Sequence, residues 1–333
     1  MDVLVIGGTV FLGRAMVAAA QARGADVTIF NRGRSGPAPA GVTSLTGDRT
    51  VEADLAQLRG RHFDVVIDTC GFVAADVARS AAILAPTCSR YVFVSSISVF
   101  PGWPEAQDYH AVGAYAGDPD ATADTVPDGI DAGGAYGWLK AGCELAATRE
   151  FGPDRAVVLR GGCIVGPQDS VTGRLPWWIA RVSRGGEVLV PGSPDDPISL
   201  VDARDLAEFA LTAPGGTHET AGPRDRDTRA DLMNACRDVT GSDARFTYVA
   251  DDWLAAQAVE PWTEVPLWAP GAPSLFRHGV AVGMRWRPLA QTVADTWAWQ
   301  TALPGGWRTA PRTPGLDQAR EADLLATWKA GTG

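Results

Sequence analysis

The chain has 333 residues, of which 46% are hydrophobic and 20% charged, a balance typical of a folded globular protein with a substantial core. Its 39 acidic residues outnumber its 29 Lys and Arg residues, which gives a formal net charge of -10. Because nucleic acids and anionic lipid surfaces are bound through clustered Lys and Arg, this charge argues against nucleic acid and against a membrane as partners.

The cysteines and the N-terminal residues indicate the compartment. Five cysteines are widely spaced and none forms a CxxC pair, so the sequence indicates neither a zinc site nor a redox dithiol. The first apolar run, Val3 to Ile6, ends at a Gly-Gly pair and is far too short for a signal-peptide core or a membrane span. We therefore expect reduced thiols, no metal and a cytoplasmic location. Separately, we expect a small-molecule substrate as the partner, and a monomer or homodimer.

The first half of the chain alternates short apolar runs with helix-length segments. An alanine-rich helical pattern, Leu12 to Arg23, follows the first run, and another helix begins near Tyr136. Runs that are apolar on both faces are typical of a parallel sheet covered by helices. They are Val3 to Ile6, Val27 to Phe30, Val65 to Ile67, Tyr91 to Val94 and Ala156 to Arg160. The alternation predicts βαβ units, and therefore an α/β fold with a doubly wound parallel sheet of the Rossmann type.

Two irregular segments interrupt this pattern, Gly33 to Gly41 and the long acidic stretch Pro101 to Gly134. Connections as long as the second are typically binding loops or lids, although a disordered insertion fits its composition as well. Beyond Gly173 the pattern loosens and tryptophan becomes frequent. We expect a Rossmann domain over residues 1-172, completed by parts of about 198-222, and a smaller C-terminal α+β domain over 173-333 that mainly binds substrate.

A glycine-rich turn (residues 7–13, GGTVFLG) directly follows the first strand and opens the first helix. A strand, a glycine turn and a helix N-terminus form an anion site, because free N–H groups and the helix dipole face the bound phosphate. The pattern predicts a bound dinucleotide, and a purely structural tight turn is the alternative. The predicted contacts are Gly7, Thr9, Val10, Phe11, Leu12 and Gly13.

The end of the second strand bears on the choice between the two nicotinamide dinucleotides. A carboxylate there binds the ribose 2′-OH and repels a 2′-phosphate. Here Asn31, Arg32 and Arg34 follow the strand, with no carboxylate and two cations. We therefore expect NADP(H) as the preferred cofactor, with these three residues near its adenosine ribose and 2′-phosphate. NAD(H) is the alternative if both arginines are simply solvated.

Six stretches, in this order, resemble the extended short-chain dehydrogenase/reductase family, in its NAD-dependent epimerase/dehydratase group. The stretches are the GGTVFLG loop, Gly47-Asp48, VSSISVF at 94–100, YGWLK at 136–140, residues 159–167, and VDARDLA at 201–207. The resemblance is strong to about residue 210, and actinobacterial members of the group resemble the chain as far as its C-terminus.

This resemblance implies an NAD(P)-dependent oxidoreductase with Ser96, Tyr136 and Lys140 as catalytic residues. Ser96 would orient the reacting oxygen, Tyr136 would exchange the proton, and Lys140 would hold the nicotinamide ribose. The chemistry agrees, because free tyrosine loses its proton only far above neutral pH and a nearby cation stabilises a phenolate. A spacing of four residues puts Tyr136 and Lys140 on one helix face. The other implied cofactor contacts are Asp48 at the adenine, Cys70, Gly71 and Gly162.

Departures from the family pattern narrow the expected function. Val10 stands where the phosphate loop usually has a third glycine, and Cys163 replaces a frequent Asn that contacts nucleotide sugars. Ile97 and Ser98 replace the Asp-Glu pair of the sugar dehydratases. The last difference argues against dehydration and leaves epimerisation open.

The leading interpretation is an NADP(H)-dependent carbonyl reductase or alcohol dehydrogenase for a small metabolite. A nucleotide-sugar epimerase with tightly bound NAD is the alternative, and a non-catalytic redox-sensing or RNA-binding relative is the third. The candidate substrate contacts are Ser98, Trp103, Cys163 and Trp177. The two indoles would form apolar walls under a lid made by residues 101–134, or would equally well anchor a domain interface.

Overall fold

The computed structural model describes residues 1–102, 113–223, 225–270, 281–307 and 315–332. Its strands are β1 (Asp2–Ile6), β2 (Asp26–Asn31), β3 (Thr43–Thr46), β4 (Phe63–Asp68), β5 (Cys88–Ser96), β6 (Ala156–Gly161), β7 (Cys163–Val165), β8 (Glu187–Pro191), β9 (Pro197–Ile198), β10 (Leu200–Asp202), β11 (Gly216–Thr220), β12 (Asp227–Thr228) and β13 (Arg245–Val249). Its helices are α1 (Phe11–Ala22), α2 (Glu52–Leu55), α3 (Ala74–Leu84), α4 (Ala132–Phe151), α5 (Arg174–Ser183), α6 (Ala203–Ala210), α7 (Arg229–Thr240), α8 (Asp251–Ala256), α9 (Leu289–Thr301) and α10 (Gln318–Thr332), with short 3-10 turns at Ala56–Leu58 and Ile97–Val99.

The chain divides into two compact units. The first comprises Met1–Gly162, Ala203–Gly222 and His278–Arg285, and the second comprises Cys163–Asp202, Pro223–Arg277 and Trp286–Gly333. The sequence-based division assigned residues 163–172 to the first domain. In the structure, β7 pairs with β10, and both strands belong to the second unit.

A seven-stranded parallel sheet forms the first unit, in the order β11-β6-β5-β4-β1-β2-β3. From β1 the chain proceeds to β2 and β3 on one side, and then to β4, β5, β6 and β11 on the other. Because βαβ crossovers are right-handed, this reversal puts α1 and α3 on opposite faces of the sheet. The predicted doubly wound Rossmann sheet is confirmed.

The carboxyl ends of the central strands position the candidate site. β1 is buried from Val3 to Ile6, and β4 is buried from Val65 to Asp68. Helix α3 packs against α4, and α1 packs against α6. Since all these strands are parallel, the loops that follow β1, β2, β4 and β5 meet at one edge of the sheet, where ligands bind in open α/β folds.

The second unit combines helices with short strand pairs. Helices α5, α7 and α9 pack against one another. The pairs β7–β10 and β8–β13 are parallel, and β9–β12 is antiparallel. Buried tryptophans contribute to this unit, with Trp178 and Trp268 almost fully buried.

The long acidic stretch is anchored where the structure describes it. Residues 113–131 contain no helix or strand. The Tyr115 amide donates to the Val99 carbonyl at 2.8 Å, and the Ala75 amide donates to the carbonyl of buried Ala121 at 3.0 Å. Trp103 lies outside the described residues, as does the rest of 103–112, and the lid over residues 101–134 stays a prediction.

The described residues contain free thiols but neither a membrane-spanning helix nor a cluster of metal ligands. The five cysteines are all free thiols, and four of them are buried. No described helix is long and apolar enough to cross a membrane. Within the same residues, no group of three or more His, Cys, Asp or Glu side chains is arranged to hold a metal ion.

Candidate cofactor and catalytic site

The glycine loop between β1 and α1 has the shape that a pyrophosphate requires. Gly8 adopts a φ of +91°, which a residue with a side chain rarely adopts. A Cβ on Gly13 would lie 2.6 Å from the Gly8 amide nitrogen, so the helix can approach the turn only with glycine there. The first helical N–H groups of α1 therefore face the edge of the sheet, where the helix dipole favours an anion.

Val10 occupies this loop in a backbone conformation that does not require glycine. It is the N-cap of α1, with φ -134° and ψ 149°, an ordinary extended backbone. The next residue, Phe11, has a φ of +35°, which is unusual for a bulky side chain. The unusual backbone angle therefore falls on the first helical residue, beside the position where the family pattern has its extra glycine.

Asn31, the last residue of β2, bonds both the glycine loop after β1 and the loop that follows β2. Its Nδ2 donates to the Gly7 carbonyl at 2.8 Å, and its Oδ1 accepts from the Gly33 amide at 2.8 Å. Arg32 and Arg34 follow as exposed side chains. The amide of Asn31 is thus committed to fixing the glycine loop, and the two guanidinium groups are available to solvent or to a ligand.

A cavity of about 210 Å³ opens at the ends of β1, β2 and β4. Its lining residues are Ile6, Phe30, Asn31, Arg32, Gly47, Asp48, Arg49, Thr50, Cys70, Phe72 and Asp76. Asp48 accepts hydrogen bonds from the Thr50 amide and hydroxyl. Those bonds lower the pKa of Asp48, and the nearby charges of Arg32 and Arg34 lower it further.

The loop after β4 contributes the other wall of this cavity. The Cys70 thiol donates to the Ile6 carbonyl at 3.5 Å, and burial together with the Asp68 charge raises its pKa to about 11. The Phe72 ring is 55% exposed. A neutral thiol and an exposed aromatic side chain give this wall an apolar character that suits the flat face of a base.

Lys140 is a buried ammonium that joins two strand ends. Lys140 is only 3% exposed. The Nζ donates to the Gly71 carbonyl at 2.9 Å and to the Val94 carbonyl at 2.6 Å, and it lies 4.1 Å from the Phe93 ring centre. An ammonium has three N–H groups, so among the described residues one N–H is left for a ligand hydroxyl.

The serine turn after β5 lies against the helix that carries Tyr136. The Ser96 hydroxyl accepts from the Ser98 amide and donates to the Ser98 hydroxyl, both at 3.1 Å. A Cβ on Gly137 would overlap the Ser98 carbonyl oxygen, so the backbone of α4 touches this turn. Tyr136, the preceding residue, is 39% exposed. The three candidate catalytic residues therefore come from elements in direct contact.

Two buried ion pairs near this site were missed by the sequence reasoning. Glu144 of α4 pairs with Arg160 of β6 at 2.7 Å and accepts from the Ser95 hydroxyl. Arg49 pairs with Asp68 through two hydrogen bonds of 2.8 and 2.9 Å. The first pair fixes α4 to the two strands beneath it. Its only sequence signal is Glu144, placed one helical turn after Lys140.

The remaining candidates lie in less accessible surroundings. Gly162 packs against Ala221, whose carbonyl oxygen a Cβ on Gly162 would approach to 2.7 Å. In the second unit, Cys163 is 4% exposed and burial raises its pKa. Trp177 is 6% exposed, stacks edge-on against Trp178 at 4.9 Å, and would overlap a Cβ on Gly315. The substrate contacts of Ser98, Cys163 and Trp177 stay predictions.

The residues present fit a dinucleotide. The glycine loop offers helical N–H groups to an anion, a cavity lined by Asp48 opens at the same edge of the sheet, and Lys140 uses two of its three N–H groups among the described residues. A Rossmann sheet with this loop and a Ser–Tyr–Lys set is the arrangement of a short-chain dehydrogenase/reductase. The sequence model of the NAD dependent epimerase/dehydratase family matches residues 3–220, and the chain belongs to that family.

Solved structures with this fold include several epimerases. The UDP-glucose 4-epimerase of Thermus thermophilus, in complex with NAD, shares 18% identity and a TM-score of 0.61, covering 91% of this chain and 100% of its own. The UDP-N-acetylglucosamine 4-epimerase of Bacillus cereus shares 15% identity and a TM-score of 0.60, covering 91% and 98%. The Bordetella bronchiseptica enzyme WbmG, in complex with NAD and UDP, shares 16% identity and a TM-score of 0.60, covering 90% and 94%. At these identities the likeness concerns the fold alone. Among curated proteins, none matches the chain significantly.

Proposed function

We propose that the chain is an NADP(H)-dependent oxidoreductase that interconverts an alcohol and a carbonyl on a small-molecule substrate. The observation that carries the proposal is the buried ammonium of Lys140, fixed by the Gly71 and Val94 carbonyls one helical turn after the exposed phenol of Tyr136. A cation fixed in this position stabilises the negative charge that develops on a phenol oxygen during proton exchange.

Each residue of the set has a distinct role in this proposal. Tyr136 gives its proton to the carbonyl oxygen during reduction and takes it back during oxidation. The Ser96 hydroxyl, oriented by the Ser98 amide, holds the same substrate oxygen. The free N–H of Lys140 binds a ribose hydroxyl. When bound, the dinucleotide supplies or accepts the hydride.

The preference for NADP(H) is supported by the charges at the end of β2. Arg32 lines the cavity at the ends of β1, β2 and β4, and no carboxylate closes the strand to repel a 2′-phosphate. The charges of Arg32 and Arg34 both lower the pKa of Asp48, so the two guanidinium groups lie near the same wall of the cavity. The second unit, through residues such as Trp177, is proposed to bind the substrate.

The function is tested by incubating the purified protein with NADPH and a panel of aldehydes, ketones and hydroxy-ketones. We expect NADPH oxidation that requires the carbonyl compound and that exceeds the rate with NADH at equal concentration. The proposal would be contradicted by a protein that binds NADPH but reduces no carbonyl compound of a broad panel. The same protein would also have to reduce no NADP+ with the corresponding alcohols.

A nucleotide-sugar epimerase with tightly bound NAD is the second candidate, favoured by the family to which the chain belongs. Both reactions would use Ser96, Tyr136 and Lys140, and they differ in whether the cofactor leaves. Denaturing the purified protein and assaying the supernatant for NAD(H) separates them. Stoichiometric NAD(H), together with isomerisation of UDP-glucose without net redox change, would favour the epimerase.

A further inference from the structure

A cavity of about 400 Å³ lies within the first unit, apart from the glycine loop. Its described lining residues come from the end of α1, from α6 with the turn after it, and from residues 283–285, all in that unit. Helix α1 begins at the glycine loop and has 12 residues, so its last residue lies about 18 Å from that loop. Arg23, the C-cap of α1, lines the cavity. Because the glycine loop lies at the carboxyl edge of the sheet, the cavity lies toward the opposite edge, and a ligand in it takes no part in hydride exchange.

Two guanidinium groups on this cavity have no ion-pair partner among the described residues. Arg23 and Arg285 are both exposed, and the Arg23 guanidinium makes one hydrogen bond to a described residue, at 3.4 Å to the Glu208 carbonyl. The dipole of α1 accounts for a cation at Arg23, because a helix C-terminus attracts positive charge. It does not account for Arg285, which lies in no helix or strand. Two such groups on one cavity favour a ligand with a carboxylate, which their forked N–H groups bind well.

Two carboxylates line the same cavity, one turn apart on α6. Asp205 is 7% exposed, and Glu208 is an exposed residue. Both residues have interactions of their own, but an ionised carboxylate has about four acceptor positions and can accept an ammonium as well. A ligand with only a negative charge is attracted by the arginines and repelled by the carboxylates. A ligand that carries both charges matches the whole cavity.

We propose that this cavity binds a small zwitterion, an amino acid or a related compound with both a carboxylate and an ammonium group. The ligand carboxylate binds Arg23 and Arg285, and the ammonium binds the carboxylates of α6, chiefly that of Glu208. A volume of about 400 Å³ is within the range of sites for small molecules. The site goes beyond the proposed function, because it needs neither the dinucleotide nor the Ser–Tyr–Lys set.

The test is a calorimetric titration of the full chain with four probes that share a six-carbon chain. L-Norleucine and 6-aminohexanoate are isomeric zwitterions with the two charges close together and at opposite ends, while hexanoate and hexylamine carry one charge each. We expect one isomer to bind with a Kd of about 1 mM or tighter. It should bind about tenfold more tightly than hexanoate or hexylamine. The same affinity is expected with and without saturating NADPH.

Two variants test whether these charges hold the ligand. Arg285→Gln and Glu208→Gln should each weaken the bound isomer about tenfold. Glu208→Gln should also tighten hexanoate, because it removes a repelling carboxylate. A merely structural role of Glu208 would not move the two probes in opposite directions. Arg59→Gln is the matched control, since Arg59 is an exposed arginine outside the described lining, and it should leave every affinity unchanged.

Four results would overturn the inference. They are no binding of either isomer below about 10 mM, hexanoate binding as tight as that of the isomers, unchanged affinities in both variants, and displacement of the isomer by NADPH. Failure of the proposed reaction is distinguishable. A protein that reduces no carbonyl compound, yet binds an isomer through Arg285 and Glu208, would refute the reductase and support this site.

Discussion

Tyr136 and Lys140 differ sharply in exposure although they lie one helical turn apart. Tyr136 is 39% exposed and Lys140 only 3%. The buried ammonium is held by two backbone carbonyls, so its charge has a fixed position. The exposed phenol can reach a ligand. At the scale of single residues, these surroundings suit a proton-exchanging group beside a fixed cation.

Removing the phenol oxygen tests this assignment. We expect Tyr136→Phe to lower turnover by a factor on the order of 10² or more, the scale of general acid–base catalysis, with the Kd for NADPH unchanged. Tyr115→Phe is the control, because Tyr115 is a second phenol near the same helix, at Gly134 and Gly137. Near wild-type turnover in Tyr136→Phe, or an equal loss in Tyr115→Phe, would mean that another group moves the proton.

The two arginines after β2 make a second prediction. Arg32 lines the cavity at the ends of β1, β2 and β4, and Arg34 does not. Arg32→Ala should therefore weaken NADPH by about 1–3 kcal/mol, the worth of a hydrogen bond to a charged group, and leave NADH nearly unaffected. Arg34→Ala should have a smaller effect on both. Titrations of each variant with each cofactor provide the measurement, and parallel losses for NADPH and NADH in Arg32→Ala would assign this residue to loop structure.

At the scale of elements, the position of α4 decides the geometry of the site. Glu144 ties the helix to β5 through Ser95 and to β6 through Arg160. Gly137 brings the helix backbone against the carbonyl of Ser98. Tyr136 and Lys140 are thus held by contacts on both sides of the helix turn that carries them.

A single methyl group should disturb this contact. In Gly137→Ala the new Cβ would overlap a backbone oxygen rather than a flexible side chain, so α4 must move away from the serine turn. We expect turnover to fall by about 10², the effect of misplacing reacting groups by an ångström, with a lower Tm.

Gly133→Ala is the control for this prediction. It lies in the first turn of the same helix, where a Cβ would meet only the Asp131 side chain at 3.6 Å. Alanine favours a helix by up to about 1 kcal/mol over glycine, so this variant should keep its turnover and its stability. Equal turnover in the two variants would show that the contact with Ser98 does not position the site.

The sequence predicts the strands of the sheet well because parallel strands must be apolar on both faces. The runs Val3 to Ile6 and Tyr91 to Val94 lie within β1 and β5 as observed. The end of the first unit is harder to place, since β7 continues the chain directly after Gly162 but pairs with β10 in the second unit. Pairing between strands distant in sequence leaves no local pattern.

The same distinction applies to the site. Tyr136 and Lys140 are recognisable because their spacing on one helix is itself the signal. The partners of Arg49 and Glu144 are Asp68 and Arg160, which lie 19 and 16 residues further along the chain. Each looks like an ordinary charged residue until the sheet brings the partners together. Trp177 is similar, since its packing on Gly315 depends on a distant glycine.

At the scale of the whole molecule, the five thiols are weak acids whose ionisation is opposed by burial. Burial raises the pKa of all five, to about 11 for Cys70 and about 12 for Cys143. They belong to both compact units. In the unfolded chain each thiol ionises near pH 8.5, so the folded and unfolded states bind different numbers of protons above that pH.

This difference predicts a loss of stability in alkali. Below about pH 8.5 the thiols are protonated in both states and the stability contribution of their burial is fully present. As pH rises toward each folded pKa, the unfolded state loses protons that the folded state keeps. The free energy of unfolding then falls by about 1.4 kcal/mol per pH unit for each such thiol. Urea unfolding under reducing conditions, between about pH 7.5 and 10, measures how steeply the free energy of unfolding falls with pH.

Cys236→Ala removes one fully buried thiol. The free energy of unfolding of this variant should therefore fall less steeply with pH, by about 1.4 kcal/mol per pH unit, whatever its stability at neutral pH. Parallel curves for Cys236→Ala and the wild type would mean that this thiol does not contribute to the alkaline loss.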